Sequence, residues 1–215
     1  MEERFYPVFM KIHGKRCVVV GGGKVAERKI ISLLRDQAEV TVVSPQITAV
    51  LQELVEQQAI DWIAREYQRG DLSGAFIVYA ATNSREVNGH VAGDAKTESV
   101  LVNVIDDPDA CDFIVPSRLE RGKLQIAVST SGASPGLNKR ICEELERQFG
   151  NEYEILLEWL QMLRIWLQAN VSSEKERRQI LADIVQSSIL ELLRANEIEQ
   201  AKQIIHSRIA YDSLL

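Results

Sequence analysis

In the first half of the chain, hydrophobic residues form short continuous runs that alternate with helically spaced stripes. The runs are rich in β-branched residues, which predicts buried strands. They cover Lys15–Val20, Glu39–Val43, Ile60–Ala64, Phe76–Ala80 and Val100–Val104. The segments between them predict helices over Val25–Asp36, Ile47–Gln57 and Ser84–Lys96. Strands that alternate with helices indicate βαβ crossovers, and therefore an α/β fold with a Rossmann-like parallel sheet.

The pattern changes near residue 113. Two strand-like runs, Phe113–Leu119 and Lys123–Ser129, predict a hairpin whose turn is Glu120–Gly122. From Ser134 onward the spacing is helical, and Ser134-Pro135 is a typical helix start, with a serine cap and proline at the first helical position.

The last third of the chain is predicted to be helical. One helix presents an apolar stripe made of Ile155, Leu156, Trp159, Leu160, Leu163, Trp166 and Leu167. Ser173 and Glu176 fit a capping box for a helix that runs through Leu193, and Asn196 with Glu199 begins the last helix. We therefore expect a Rossmann domain over residues 1–112, a small β segment over 113–145 and a helical domain over 146–215.

Composition and charge exclude several classes of protein. The chain has 215 residues and a formal net charge of −6, which argues against generic binding of nucleic acid or anionic membranes. Its longest apolar run, Ala75–Ala81, is far shorter than a membrane span. Three widely spaced cysteines do not form a disulfide framework, and no histidine lies in a metal-ligand spacing. We expect a cytoplasmic protein without a metal site.

A glycine-rich motif follows the first strand and opens the first helix. Gly21 and Gly23 with Ala26 match G-x-G-x-x-A in the structural context that nucleotide binding requires. Gly21 permits the tight turn, and Gly23 permits the backbone to approach a pyrophosphate at the helix N-terminus, near Lys24 and Val25. The alternative is a glycine turn without a ligand.

The second strand lacks the acid that usually binds the ribose of NAD. It is followed by Ser44, Pro45 and Gln46, from which Ser44 and backbone groups can still hydrogen-bond a ribose. No arginine stands there to mark an NADP phosphate, so NAD is the preferred cofactor.

The fourth and fifth strands end in polar residues at the edge where ligands bind in such sheets. Thr82 and Asn83 follow the fourth strand, and are cofactor contacts, a helix cap, or both. The fifth strand contains Asn103, a further candidate cofactor contact, and is followed by Asp106 and Asp107. Either aspartate can be a general base, but Asp-Pro is also common turn chemistry, and spacing alone favours the turn.

A local basic stretch runs against the global charge. Between residues 116 and 140, five cations stand against the single acid Glu120. The hydroxyls of Thr130 and Ser134 lie in the same stretch, beside a helix N-terminus, and such groups suit a ligand with carboxylates or phosphates. The alternative is a solvated hairpin. The cations are Arg118, Arg121, Lys123, Lys139 and Arg140.

Five segments together resemble the precorrin-2 dehydrogenase family, the dehydrogenase and ferrochelatase module of sirohaem synthases. They are VVVGGGKVAERK (18–29), VYAATN (78–83), VNVIDDP (102–108), FIVPS (113–117) and VSTSGASPGL (128–137). The resemblance covers roughly residues 5–145 and implies NAD-dependent oxidation of precorrin-2 to sirohydrochlorin. In some members it also implies insertion of ferrous iron.

The resemblance also implies roles for single residues and for the middle segment. The family's essential aspartate corresponds to Asp106, and the cofactor contacts correspond to Gly23, Lys24 and Val25, to Pro45 and Gln46, and to Thr82 and Asn83. The segment 113–145 is implied to form much of a homodimer contact. Thr130 replaces a serine that is phosphorylated in some relatives, which argues against phosphoregulation here. A fused methyltransferase domain is not expected at this length.

A different class of function stays open from the residues alone. A regulatory Rossmann module that senses NAD also has a glycine-rich loop, but it typically has an acid at the end of the second strand. Such a module does not need the Asp106 segment or the basic stretch.

Overall fold

A computed structural model describes residues 5–209, which divide into two compact units at Val115–Pro116. The first unit is a five-stranded parallel sheet flanked by helices, as the sequence predicts. Its strands are β1 (Arg16–Val20), β2 (Glu39–Val43), β3 (Asp61–Ile63), β4 (Ile77–Ala80) and β5 (Leu101–Val104). Its helices are α1 (Lys24–Arg35), α2 (Ala49–Glu56) and α3 (Arg85–Glu98), and a 3₁₀ turn covers Pro108–Ala110.

The strands lie in the order β3-β2-β1-β4-β5, so the chain reverses its direction of travel across the sheet between β1 and β4. Val18, Val19 and Val20 are almost fully buried because α/β packing covers both faces of the central strand. The carboxyl ends of all five strands meet at one edge, where ligands bind in such sheets.

The edge strand β5 is covered by the segment Cys111–Phe113 rather than by another strand. The Asp112 carboxylate accepts the Val102 N–H at 3.0 Å, and the Asp112 N–H donates to the Val102 carbonyl at 2.9 Å. The Cys111 thiol accepts the Val104 N–H at 3.1 Å. We expected Phe113 to begin a strand. Its carbonyl instead accepts from Asn103, and strand pairing starts only at Ser117.

The second unit begins with an antiparallel hairpin of β6 (Ser117–Arg121) and β7 (Leu124–Val128). The pairing of Arg121 with Leu124 leaves Gly122 and Lys123 as a two-residue turn, whereas the sequence predicted a three-residue turn over 120–122. Gly122 has a φ of 54°, which a two-residue hairpin turn of this kind requires.

Five helices follow: α4 (Pro135–Gln148), α5 (Glu152–Asn170), α6 (Glu174–Val185), α7 (Ile189–Arg194) and α8 (Ile198–His206). The predicted stripe on α5 forms the core of this unit through Leu156, Trp159, Leu163 and Leu167. By contrast, α4 buries none of its residues in the single chain.

The helix predicted to run through Leu193 is instead two helices, α6 and α7. The Ser187 hydroxyl donates to the Ile184 carbonyl at 2.6 Å, and its backbone N–H donates to the same oxygen. Serine competes in this way with the helical hydrogen bonds, and the chain turns before α7. The predicted cap at Ser173 is present, because its hydroxyl accepts the Glu176 N–H at 3.3 Å. Over residues 5–209, no helix is long and apolar enough to span a bilayer.

Candidate functional site

Two clefts open at the carboxyl edge of the sheet, on either side of the point where the strand order reverses. We call them the β5 cleft, of about 590 Å³, and the β2 cleft, of about 500 Å³. Both are lined by Gly23, Ala81, Thr82 and Asn83, so they meet above β1 and β4. A ligand with two halves can therefore lie across the edge with one half in each cleft.

The glycine turn after β1 is packed against neighbouring backbone. A Cβ on Gly21 would lie 2.3 Å from the Ala81 carbonyl oxygen, and one on Gly22 would lie 2.0 Å from the Gln46 carbonyl oxygen. A Cβ on Gly23 would meet nothing within 4 Å, because Gly23 faces the open clefts. The sequence motif leaves Gly22 unrestricted, yet the turn after β2 makes glycine necessary there.

The N-terminus of α1 opens into the clefts without a side-chain cap. Gly23 is the N-cap and accepts the Glu27 N–H at 2.9 Å. The N–H groups of Lys24 and Val25, which line the β5 cleft, lie in the first turn, where no helical acceptor exists. Free N–H groups at a helix start attract an anion such as a pyrophosphate.

Glu27 is a buried acid in the first turn of this helix, and its partners neutralise it. Its carboxylate accepts hydrogen bonds from the Thr48 hydroxyl and, at 3.0 and 3.1 Å, from the Lys24 ammonium. The Thr48 and Lys24 hydrogen bonds hold the pKa of Glu27 below its ordinary value. The carboxylate is therefore ionised and paired, and it fastens the loop before α2 to α1.

The turn after β2 places Pro45 and Gln46, both exposed, along the β2 cleft. Ser44 lines the same cleft, but it is 7% exposed and its hydroxyl donates to the Gln46 carbonyl at 2.7 Å. We expected the Ser44 hydroxyl to hydrogen-bond a ribose, but its hydrogen bond instead stabilises this turn.

Thr82 and Asn83 lie where the two clefts meet, as expected of cofactor contacts. The Thr82 hydroxyl donates to the amide oxygen of buried Asn88 at 2.7 Å, and the Asn88 amide donates back to the Thr82 carbonyl at 3.1 Å. The cap of α3 is Ser84, whose hydroxyl accepts the Val87 N–H, and not Thr82 or Asn83 as the alternative interpretation predicted. Asn88, which sequence reasoning missed, thus fixes the shape of the turn after β4.

Asp106 lies in the loop after β5 and lines the β5 cleft together with Asp107. It is exposed and has a φ of 61°, a left-handed conformation that aspartate tolerates better than most residues. The Cys111 thiol fastens both ends of this loop, because it lies 3.3 Å from the carbonyl oxygens of Val104 and Asp107. Burial raises the pKa of that thiol.

Asn103 lines neither cleft, contrary to its expected role at the cofactor. It is 8% exposed, and its amide donates to the Phe113 carbonyl at 2.9 Å. In the structure it fastens the segment that covers the edge of β5.

Arg85, which sequence reasoning missed, does line the β5 cleft. The available signal was a cation in the first turn of a helix, where the helix dipole disfavours it.

The residues predicted to hold substrate carboxylates all lie in the second unit. Arg118 forms an ion pair with Glu120 at 3.4 Å, and the Arg121 guanidinium donates to the Glu120 carbonyl. On α4, Lys139 and Arg140 pair with acids one turn later at 3.8 and 3.0 Å. Those acids, Glu143 and Glu144, lie just beyond the basic stretch and partly neutralise its last two cations.

The two hydroxyls of this stretch hold the start of α4. The Thr130 hydroxyl donates to the Ser134 carbonyl at 3.2 Å, and the Ser134 hydroxyl accepts the Leu137 N–H at 3.2 Å. Within residues 5–209, no group of three or more acidic, cysteine or histidine side chains can hold a metal ion.

Comparison with known proteins finds a nucleotide-binding family over the part of the chain that forms the clefts. A family model described as putative NAD(P)-binding matches residues 8–117, and one described as sirohaem biosynthesis protein central matches residues 121–148. The uncapped start of α1, the open space at Gly23 and the joined clefts fit a nicotinamide dinucleotide. The part of the chain that the first model matches contains both clefts.

Curated relatives match nearly the whole chain. A siroheme synthase of Mannheimia succiniciproducens is 33% identical over 97% of this chain and 44% of its own length. One of Photobacterium profundum is 35% identical over 93% of this chain and 42% of its own length. The chain thus spans less than half of these relatives. A solved structure described as SirC, precorrin-2 dehydrogenase, is 26% identical with a TM-score of 0.79, over 96% of this chain and all of the other.

Proposed function

Since the chain belongs to the NAD(P)-binding family of the siroheme synthases and of precorrin-2 dehydrogenase, we propose that it oxidises precorrin-2 to sirohydrochlorin with NAD⁺. The observation that carries this proposal is the position of Asp106, which lines the same cleft as the free N–H groups at the start of α1. A proton acceptor and a dinucleotide site thus share one space. The regulatory alternative does not require this arrangement, and the relatives do not favour it.

In this proposal the cofactor lies across the carboxyl edge of the sheet. Its pyrophosphate takes the N–H groups of Lys24 and Val25, the adenosine half occupies the β2 cleft beside Pro45 and Gln46, and the nicotinamide half occupies the β5 cleft. When bound, the nicotinamide supplies a hydride acceptor. The residues that line the β2 cleft include no lysine or arginine to neutralise a 2′-phosphate, which supports NAD over NADP.

Asp106 is proposed as the general base. The oxidation removes two hydrogens from precorrin-2: a hydride passes to NAD⁺, and the Asp106 carboxylate takes the proton, so that sirohydrochlorin, NADH and a proton result. The left-handed turn that Cys111 fastens keeps the carboxylate exposed at the cleft. The protein thus positions the substrate and cofactor, and conjugation of the product macrocycle supplies driving force.

Cations are proposed to hold the carboxylates of the tetrapyrrole. Arg85 lines the β5 cleft beside Asp106 and is exposed, whereas Lys24 in the same cleft is already paired with Glu27. Arg118, Arg121, Lys139 and Arg140, with Thr130 and Ser134, remain candidates in the second unit. Arginine binds carboxylates through two parallel hydrogen bonds, which makes it the stronger candidate type.

We further propose that the protein is a cytoplasmic homodimer. The 14-residue helix α4 has an amphipathic sequence but buries no residue in the single chain, and Leu137 on it is 51% exposed. A second copy that covers α4 would account for this exposed helix, and light scattering after size exclusion would show twice the mass of the chain.

The test of the proposed reaction compares Asp106→Asn with Asp107→Asn. Asparagine tolerates a φ near 61° and removes only the base, so we expect at least a hundredfold loss of kcat for precorrin-2 oxidation, with unchanged affinity for NAD⁺. Asp107→Asn, which removes the neighbouring carboxylate from the same cleft, should retain most of the activity. Absorbance of sirohydrochlorin and NADH gives both rates. Near-normal oxidation by Asp106→Asn would remove it from the role of base.

A further inference from the structure

The β2 cleft contains a carboxylate from the loop that follows β3, the strand next to β2. The usual ribose-binding acid is missing after β2, and the hydroxyl of Ser44 is already donated to the Gln46 carbonyl at 2.7 Å. The cofactor proposed above therefore needs another partner for its adenosine ribose. Glu66, in the loop that follows β3, lines the same cleft as Ser44 and Gln46.

The topology brings the two loops together. β3 pairs with β2 in parallel, with Val43 opposite Ile63, so both strands end at the same edge of the sheet. The Ser44 N–H donates to the Ile63 carbonyl at 3.2 Å, and the Trp62 indole N–H donates to the Ser44 carbonyl at 2.8 Å. The turn after β2 and the start of the loop after β3 are thus fastened to each other.

The loop around Glu66 is held on both sides of that residue. The Arg65 guanidinium donates to both oxygens of the Asp71 carboxylate, at 2.7 and 2.6 Å. The Tyr67 hydroxyl donates to the Asp94 carboxylate at 2.9 Å. Hydrogen bonds from Arg65 hold the pKa of Asp71 below its ordinary value, so the Asp71 carboxylate is ionised and forms an ion pair with Arg65.

Glu66 itself is exposed, and across residues 5–209 its carboxylate has no hydrogen-bond or ion-pair partner. Among the residues that line the β2 cleft, it is the one acid, and none of them is lysine or arginine. An ionised carboxylate accepts hydrogen bonds from two vicinal hydroxyls, whereas it repels a phosphate ester in the same place. A rigid loop that presents a free carboxylate therefore matches an unmodified ribose.

We propose that the Glu66 carboxylate accepts hydrogen bonds from the hydroxyls of the adenosine ribose and so sets the preference for NAD over NADP. The proposal shares one premise with the proposed function, on which it rests: a nicotinamide dinucleotide binds across the two clefts. It does not depend on precorrin-2 oxidation, and direct binding of the cofactor tests it. Glu66 replaces, from the end of β3, the acid that other dinucleotide sites supply from the end of β2.

The experiment measures the Kd of NAD⁺ and of NADP⁺ by calorimetry, in the full chain without substrate. Glu66→Gln should weaken NAD⁺ binding about tenfold and leave NADP⁺ binding unchanged or stronger, because charge-assisted hydrogen bonds and a repulsive charge are both lost. Glu66→Arg should favour NADP⁺ outright, and Glu66→Asp should retain a preference for NAD⁺. Glu53→Gln, at an exposed position on α2, removes the same charge away from the cleft and should match the wild type.

Each result has one meaning. Unchanged Kd values in Glu66→Gln, or an equal loss in Glu53→Gln, would overturn the role of Glu66 while NAD⁺ binding by the wild type stands. A wild type that prefers NADP⁺ would also overturn it. A wild type that binds neither dinucleotide would refute the cofactor site and the proposed function together. Thermal unfolding of each variant checks that the fold is retained, and the Glu66→Arg ratio of the two Kd values is independent of the fraction folded.

Discussion

Two glycines in the same turn are expected to separate stability from cofactor binding. At Gly21 the backbone has a φ of 122°, and an added Cβ would lie 2.3 Å from the Ala81 carbonyl oxygen, so the chain must shift to accept alanine. At Gly23 the φ is −83° and the backbone is extended, and the added Cβ would point into open space. Gly21→Ala therefore lowers the stability of the fold, whereas Gly23→Ala alters the cofactor site.

The magnitude follows from two contributions at Gly21. A glycine-only backbone conformation costs about 1–3 kcal/mol for another residue, and overpacking against fixed backbone costs about 1–3 kcal/mol. For a chain of this length about 4 kcal/mol lowers Tm by roughly 10 °C. At Gly23, alanine is a poorer N-cap but also stiffens the unfolded chain, so the two effects largely cancel to within about 1 kcal/mol.

The assay combines thermal unfolding by circular dichroism with NAD⁺ titration by calorimetry. Gly23→Ala should unfold within about 3 °C of the wild type, yet bind NAD⁺ at least tenfold more weakly, because the Cβ occupies the place where the pyrophosphate approaches the backbone. Gly21→Ala should unfold much earlier. The reasoning is refuted if Gly23→Ala binds NAD⁺ as the wild type does, or if Gly21→Ala is as stable as the wild type.

Two further predictions concern the substrate and the second unit. Arg85→Gln should raise KM for precorrin-2 about tenfold, with little change in kcat or in NAD⁺ affinity. The control Lys96→Gln, at the other end of α3, should change none of these three quantities. An unchanged KM in Arg85→Gln would exclude Arg85 from substrate binding. Leu163→Ala, at a fully buried position, should lower the free energy of unfolding by about 2–5 kcal/mol in urea titrations, whereas Ile165→Ala, 61% exposed, should stay within about 0.5 kcal/mol. Equal losses in both would contradict the assigned core.

The alternation of apolar runs and stripes was sufficient to predict the parallel sheet, because the central strands β1 and β4 are buried on both faces and the helical stripes face the core. It was also sufficient for the core of the second unit, where the α5 stripe contains Leu163 and Leu167. It failed at residues 113–116, since this extended apolar segment has the pattern of a strand although strand pairing starts only at Ser117. The side chains that bond the edge of β5 are those of the preceding Cys111 and Asp112. The pattern failed again at Ser187, where a local hydroxyl contact ends a helix without a glycine or proline.

The candidate site was predictable where a motif prescribes the backbone and less so elsewhere. The glycine turn, Thr82 and the Asp106 loop lie at the clefts as expected. Glu66 and Arg85 were not found, because their places at the clefts depend on which strands are neighbours and not on spacing along the chain. Ser44 and Asn103 have the right residue types for a cofactor contact, but hydrogen bonds within the fold already use their side chains. A sequence does not reveal which polar side chains are already used in hydrogen bonds within the fold.

The side chains that cover β5 also limit how the sheet can grow. An edge strand with free N–H and C=O groups invites a strand from another molecule, which is a common route to aggregation. On β5, the outward groups of Val102 and Val104 are already bonded to Asp112 and Cys111, and the opposite edge strand, β3, is only three residues long. Each edge therefore offers an incoming strand little to pair with, so the segment that holds the Asp106 loop also protects the folded protein from intermolecular β-pairing.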